Sequence, residues 1–532
     1  MQFPYIYIQR MENEEEMAKK EKRVNLFKLM MEGITIIFLV IMIGIFPLYY
    51  RNYYLDILIV KNALFQSLTI GFLAIGIVFV VPSFFWERKE GNRKLRISLT
   101  DAFAIIFFVT VIISCLLSPI GSEAFWGNER RRLGGLFLLL CIGVYFMVSR
   151  FYKSSQLVLW VFLIANYIVF MLIILNFCGI DLLHMYDHLK AAQHKIFIGT
   201  LGNINMCAEY AGVVTTLMMG FYYLAKEKLS RICYFVAIVM GIYSCIATRA
   251  DSWLLAVGPA YLVFLAVSMH DTSKLQKWWE LCIGFFCGSF LVKITEVLNQ
   301  LTGIKNLWIS DLRIHFLQYT MISWKILFLE LAALVVFWLL LHSKYVKYLN
   351  RYGNKILLGA VIISMAVIAA VIFPLEDSFG TNRGYIWKRT LINFKDMPFL
   401  QQIFGYGPNS FQQSMEENYG AEIRSSFTTV FWDAHNEPLQ FLATTGILGM
   451  VSYMGMQISL MVSCIRQRNI QPAAVIGCAG IVAYMLQALV NNPQVFTTPL
   501  LFIFLGVMEN KVRKTNIPLA TPLPQGGYKR GG

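Results

Sequence analysis

Apolar stretches about the length of one membrane crossing, some 20 residues as a helix, recur along the whole chain, and that recurrence leaves few folds open. They fall at roughly 32–50, 62–82, 101–118, 134–149, 156–177, 206–225, 232–248, 252–269, 279–294, 322–342, 356–374, 437–463, 472–490 and 496–509. A helix meets all its own backbone hydrogen bonds in lipid, whereas an open sheet would bury an unpaired edge. The expected fold class is therefore all-α: a polytopic integral membrane bundle of about fourteen transmembrane helices. Composition agrees, since 57% of the 532 residues are apolar and only 14% are charged. One membrane domain is expected over 32–509, between a charged segment at 1–31 and a Gly/Pro-rich, disordered tail at 510–532.

The net charge of +15 is not a nucleic-acid footprint, because its distribution follows the membrane. Basic runs at 19–23, 87–96, 226–231, 344–355, 466–468 and 511–514 all fall on one side of the expected spans. Positive charge marks the cytosolic side, so both termini are expected there. The first 30 residues lack the apolar run and cleavage site of a signal peptide. The ten cysteines form no CxxC pair and read as small buried hydrophobes.

Against this background a long polar segment, about 375–436, stands out. It reads EDSFGTNRGYIWKRT, then GYGPNSF, then WDAHNEPLQ, and it is expected to be a large extracytoplasmic loop containing short helices. Cations also occur on the outer side at Arg130, Arg131 and Arg132 and at the turn carrying Arg249, which suggests an anionic ligand there. An arginine near the membrane wants a partner: Asp251 is one reading for Arg249, and a phosphate, which matches the planar guanidinium in a bidentate way, is the other. Arg383 and Trp387 are spaced to share a helix face, either as an interfacial anchor with Lys388 and Arg389 or as part of a site. His435 lies where the segment re-enters the membrane, flanked by Asp433 and Asn436. It is either an interfacial residue beside ordinary helix caps or a base able to work near neutrality. Asn203 and Asn205 lie in a loop whose amides suit sugar hydroxyls, and the turn Gly405–Phe411 is expected to shape the loop. His184 and His188 are four apart, but no acid motif accompanies them, and no metal or other cofactor is expected. There is no P-loop, dinucleotide fingerprint or GxSxG elbow, and no pair of in-membrane acids for proton coupling is visible.

Four pieces in order, GNERRRLGGLF (127–137), GTLGNINMCAEY (199–210), TRADSWLLAV (248–257), and RGYIW…GYGPNSF with AHNEPLQFLATTGILG, resemble the O-antigen ligase and O-antigen polymerase (Wzy-type) superfamily over roughly 100–465. The resemblance implies a metal-independent glycosyltransferase of the bacterial cytoplasmic membrane with an extracytoplasmic site. It would move a glycan from an undecaprenyl-diphosphate carrier to the hydroxyl of a glycan or lipid-linked acceptor, beside other polysaccharide-assembly proteins. It also implies that Arg249 and Arg383 hold the diphosphate and His435 activates the acceptor. Arg130, Arg131, Asn203, Asn205, Trp387 and Asn436 would bind donor diphosphate or glycan. Polymerase and ligase stay open. So do two other classes: a flippase or other transporter, and a peptidoglycan glycosyltransferase of the shape, elongation, division and sporulation class, for which Asp377 or Asp433 would supply the acid.

Overall fold

The computed structural model describes residues 26–89, 97–129, 131–303, 312, 316–349, 351–353, 355, 357–359, 362, 376–427 and 431–515. The described residues are mostly helical. In order come α1 (Leu26–Val40), α2 (Ile57–Lys89), α3 (Leu99–Leu117), α4 (Ser122–Trp126), α5 (Gly135–Phe151) and α6 (Gln156–Phe177), then a two-stranded ribbon of β1 (Phe197–Ile198) and β2 (Gly202–Asn203). There follow α7 (Ile204–Leu224), α8 (Lys228–Ala247), α9 (Leu254–Ser268), α10 (Thr272–Thr302), α11 (Phe316–Met321) and α12 (Trp324–Leu341). The polar segment holds α13 (Phe379–Asp396), α14 (Phe399–Phe404) and α15 (Phe411–Ser426), and the chain returns through α16 (Glu437–Gln467), α17 (Ala473–Gln487) and α18 (Thr497–Thr515).

Nine of the described helices are long and apolar enough to cross a membrane, and α5 and α17 are shorter apolar helices. That compares with about fourteen expected. The expected spans at 206–225 and 496–509 coincide with α7 and α18, which are not among the nine, and the one at 356–374 lies outside the described residues except for a few positions. Large apolar side chains such as Ile37, Ile77, Leu116, Phe328 and Leu329 remain exposed, as lipid-facing positions require. Helix starts are set by side-chain caps. Ser98 and Asp101 form a capping box on α3, Asp271 caps α10, and Ser323 caps α12. All ten cysteines are free, and Cys141, Cys207, Cys245, Cys464 and Cys478 are buried.

Hydrogen bonds between distant loops gather several of them at one end of the bundle. Asn62 donates to the carbonyls of Arg131 and Arg132, Tyr54 to Gly199, Thr200 to Pro47, Ser118 to Tyr406 and Asn436 to Leu489. The segment 376–436 sits at this end with a small apolar core of its own, built on Tyr385, Ile386, Phe411, Met415 and Ile423 and joined by Ala434 and Ala443. At the other end of α5, about 25 Å away at 1.5 Å per residue, Asp101 accepts from Tyr145, Arg150 and Arg513 and ties α3, α5 and α18 together.

One expectation is corrected here. The bundle does contain a pair of buried acids: Glu209 in α7 and Glu437 at the start of α16, both nearly inaccessible. Glu437 accepts from the hydroxyls of Tyr453 and Tyr484 at 2.7 and 2.8 Å. Glu209 accepts from Gln494 at 3.1 Å and from Thr497. Tyr453 lies 16 residues along the same helix as Glu437, and the other partners come from α17, Gln494 and the start of α18, so no short local pattern announces the pair.

Candidate functional site

The site is organised by four consecutive residues before α16, each held by a different part of the chain. Asp433 is buried, and its Oδ2 takes Arg131 Nη1 at 2.5 Å. Ala434 receives the indole N–H of Trp387 on its carbonyl at 3.0 Å and gives its own N–H to Gln440 at 2.8 Å. His435 has a φ of 47°, left-handed for a residue with a side chain, and both its backbone N–H and its Nδ1 lie 3.2 Å from Asp433 Oδ1. Asn436 caps α16 by accepting from Leu439 N–H at 2.9 Å, and its amide donates to the Leu489 carbonyl at 2.9 Å. Pro438 in the first turn suits a helix start.

Arg383 completes the cluster. A run of left-handed residues, Gly380, Thr381 and Asn382 with φ of 58°, 60° and 69°, turns the chain before it. Its Nη1 donates to the Gly380 carbonyl at 2.8 Å, while its Nε is buried without a hydrogen-bond partner. Arg383 is close enough for its charge to act on both Asp433 and His435. Burial lowers the Arg383 pKa, partly offset by Asp433. The Asp433 carboxyl is held below its ordinary range: burial works against this, but the charges of His435 and Arg131 and their hydrogen bonds outweigh it. His435 is held below 6.5, first by desolvation. Asp433 pulls it upward, and Arg383 and Arg131 push it down. A neutral imidazole beside two guanidinium groups and one carboxylate is a base next to a net positive field.

Beside this cluster lies a cleft of about 550 Å³, counting its open mouth, lined among others by Asn128, Arg131, Trp432, Asp433, Gln440 and Asn492. Amides, a carboxylate and an indole face suit a sugar ring with its hydroxyls. Its rim carries Pro408 and Asn409 from the Gly405–Phe411 turn. That turn is docked on α16 by Tyr406 N–H to Ala443 and Gly407 N–H to Thr444, at 3.0 and 2.9 Å.

The structure thus brings together Arg131, Arg383, Trp387, His435 and Asn436 of the residues singled out in sequence. Trp387 and Asn436 spend their described hydrogen bonds on the backbone around His435. Arg249 lies at the same end of the bundle, but its described contacts are elsewhere. It is buried, with φ of 59°, its Nη2 donates to the Lys195 carbonyl at 3.0 Å, and its charge bears on Tyr186. Asn203, the last residue of β2, caps α7 by accepting from the N–H of Asn205 in the helix's first turn at 2.8 Å. Arg130 lies outside the described residues, as do Asp311, Arg313 and His315. Lys388 and Arg389 pair with Asp377 and Glu422 at 2.7 and 2.5 Å. His184 pairs with Asp187 and His188 packs against Tyr53, and among the described residues no group of three or more His, Cys, Asp or Glu gathers as a metal site. Sequence reasoning missed Asp433 as the hub. The available signal was an Asp two residues before the His, the spacing at which its side chain can hold the His backbone N–H in a turn.

Fold and cluster together define a multi-pass membrane protein whose polar site is assembled at one end of its helices. Residues 307–454 match the family described as O-Antigen ligase, which supports the O-antigen ligase/polymerase superfamily that the motifs resemble. The matched stretch contains Arg383, Trp387, Asp433, His435 and Asn436, while Arg131, Arg249, Asn203 and Asn205 precede it. A comparison with curated proteins finds no match.

Proposed function

We propose that the protein is a membrane glycosyltransferase that moves a glycan from an undecaprenyl-diphosphate-linked donor to a sugar hydroxyl, on the extracytoplasmic side of a bacterial cytoplasmic membrane. The observation that carries this reading is the convergence of Arg131, Arg383 and His435 on the buried Asp433. A diphosphate-linked sugar already has a good leaving group once cations neutralise it. Arg383, with Nε unspent, faces the diphosphate, and Arg131 adds to the positive field. His435 takes the proton of the acceptor hydroxyl as its oxygen bonds to the anomeric carbon. The anomeric C–O bond breaks, and its electrons go to the diphosphate. One such displacement inverts the anomeric centre. A positioned base supplies typically about 10²–10⁴-fold. The cleft beside Asp433 takes a sugar ring, and Arg249 contributes through the 195–205 loop that it holds. The single domain runs over 32–509, with both termini cytosolic. Polysaccharide-assembly proteins are the expected partners.

Two other readings meet specific observations. Asp433 as a catalytic acid is disfavoured by its engagement with Arg131 and His435 and by its lowered pKa. The buried Glu209 and Glu437 are what a transporter would offer, but their carboxylates are occupied by neutral donors. The test is glycan transfer by the protein in nanodiscs, supplied with undecaprenyl-diphosphate-linked oligosaccharide. His435→Ala should abolish transfer while the protein stays folded; full activity would remove the base, and retained anomeric configuration would remove the one-step displacement.

A further inference from the structure

Asp433 has only two carboxylate oxygens, and the structure divides them. Oδ2 is committed to Arg131, whose guanidinium is reached across 302 residues of chain. Oδ1 accepts the His435 backbone N–H and also lies 3.2 Å from its Nδ1, at ion-pair distance. The backbone contact matters because a left-handed residue other than Gly costs roughly 1–2 kcal/mol and persists only where its surroundings hold it. The ring contact matters because a neutral imidazole carries its proton on one nitrogen, and a charge beside one nitrogen decides the state of both. A carboxylate oxygen 3.2 Å from Nδ1 attracts an N–H and repels a lone pair. It therefore favours the proton on Nδ1, which leaves the lone pair on Nε2. The side chain of His435 is 42% exposed against 5% for Asp433, so the ring has an open side while the carboxylate has none.

We propose that Asp433, clamped by Arg131, is a positioning residue that holds His435 in its Nδ1–H tautomer and left-handed backbone, so that Nε2 is the nitrogen presented to the acceptor hydroxyl. The functional part rests on the reading of His435 as the base; the tautomer does not. When Nε2 takes the acceptor proton, the imidazolium forms against a carboxylate already in place, which stabilises it without any movement. The groups that set the ring's charge are Asp433, Arg383 and Arg131, with Asp433 opposing the two cations. Arg131 is what keeps Asp433 an acceptor throughout, because a carboxyl at 2.5 Å from a guanidinium stays ionised.

The test is the histidine nitrogen spectrum of the full-length protein in nanodiscs, labelled with ¹⁵N-histidine. The His435 signals are identified by their loss in His435→Gln. The expected result is a protonated Nδ1 and an unprotonated Nε2 in the neutral ring, reverting to the Nε2–H form in Asp433→Asn, with kcat for glycan transfer falling about 10²–10⁴-fold and donor KM little changed. Asp433→Glu keeps the acceptor and should keep the tautomer, which covers the case in which the Asn variant fails to fold. An Nε2–H tautomer in the wild type, or one unchanged by Asp433→Asn, overturns the proposal. The two readings separate cleanly. If His435→Ala transfers glycan at the wild-type rate while the tautomer follows Asp433, the base assignment fails and the positioning stands. If His435→Ala is dead but the ring is Nε2–H, only the positioning fails.

Discussion

Replacing Gly446 by Ala should unseat the whole polar segment, although Gly446 touches none of the charged groups. Gly446 has φ 71° and ψ −175° inside α16, and Gly405 has φ 81° and ψ 179° at the end of α14. Both conformations belong to a region that is essentially glycine's own, at a cost of about 1–3 kcal/mol for another residue. They are also in mutual contact. A Cβ on Gly446 would sit 2.2 Å from the Ile403 carbonyl oxygen, and one on Gly405 would sit 2.2 Å from the Thr444 carbonyl. Neither obstacle is a side chain that could swing away, so backbone must separate. Separation breaks the bonds from Tyr406 and Gly407 to Ala443 and Thr444, worth about 1 kcal/mol each. Strain and lost bonds together put Gly446→Ala at about 3–5 kcal/mol, a large part of a typical stability of about 5–15 kcal/mol. The assay is equilibrium unfolding in detergent or nanodiscs followed by tryptophan fluorescence. Because Gly405→Ala breaks the same docking, the double variant should lose less than the sum of the singles, with a coupling of about 0.5–3 kcal/mol. Gly446→Ala within about 0.5 kcal/mol of wild type, or strict additivity, would refute the reasoning.

Other consequences are simpler to state. The kcat/KM of transfer should fall with acid as His435 protonates, with a midpoint below the ordinary 6.5. Arg383→Gln removes a charge that lowers that pKa, so the acid limb should move to higher pH in a pH–rate profile. Asp101→Ala takes the carboxylate from Arg150 and from the Tyr145 hydroxyl, while Arg513 keeps Glu509. It should cost about 1–3 kcal/mol in melting experiments, while the fraction that remains folded transfers glycan normally. Trp387→Phe keeps the ring but withdraws the N–H from the Ala434 carbonyl. A stability loss of about 1 kcal/mol and a lower kcat with unchanged donor KM are expected, whereas a direct sugar contact would raise KM.

Much of this architecture was legible because lipid imposes a simple rule on sequence. Apolar runs mark the long helices, nine of which among the described residues could cross a membrane, and the polar run at 376–436 contains the short helices α13 to α15. The Gly405–Phe411 turn was read as a shaping element, and it docks on α16 through backbone bonds. What sequence could not supply was partnership across long separations. Arg131 and Asp433 meet across 302 residues, and no local pattern distinguishes an Asp that caps a helix from one that receives a distant guanidinium. The turn that carries Arg249 is readable in sequence, but what it faces depends on how α8 and α9 pack, and one bond of Arg249 goes to the Lys195 carbonyl. Glu209 and Glu437 lie within the expected spans, and only the folded chain brings Tyr453, Tyr484, Gln494 and Thr497 around their carboxylates.

Under the proposed function, the cations that neutralise a diphosphate would also weaken a neighbouring base, and the geometry of the cluster gives its two arginines different work. At 4 Å and an effective dielectric of 20, a unit charge pair is worth about 4 kcal/mol, enough to hold an imidazole neutral far below neutrality if both guanidinium groups acted alone. Asp433 offsets this, but only because one arginine is spent on it. Arg131 has its Nη1 on the carboxylate, whereas Arg383 has a buried Nε with no protein acceptor. The two should therefore respond differently to the same change. Arg131→Lys replaces a planar guanidinium with a shorter-reaching point charge and loosens Asp433, so kcat should fall and the acid limb should shift while donor KM holds. Arg383→Lys keeps the charge and loses the fork that grips phosphate oxygens, so donor KM should rise with the acid limb nearly in place. Steady-state kinetics against donor concentration at several pH values distinguishes them. If both variants raise donor KM equally and neither moves the pH profile, the arginines act as one undivided clamp and the division of labour is wrong.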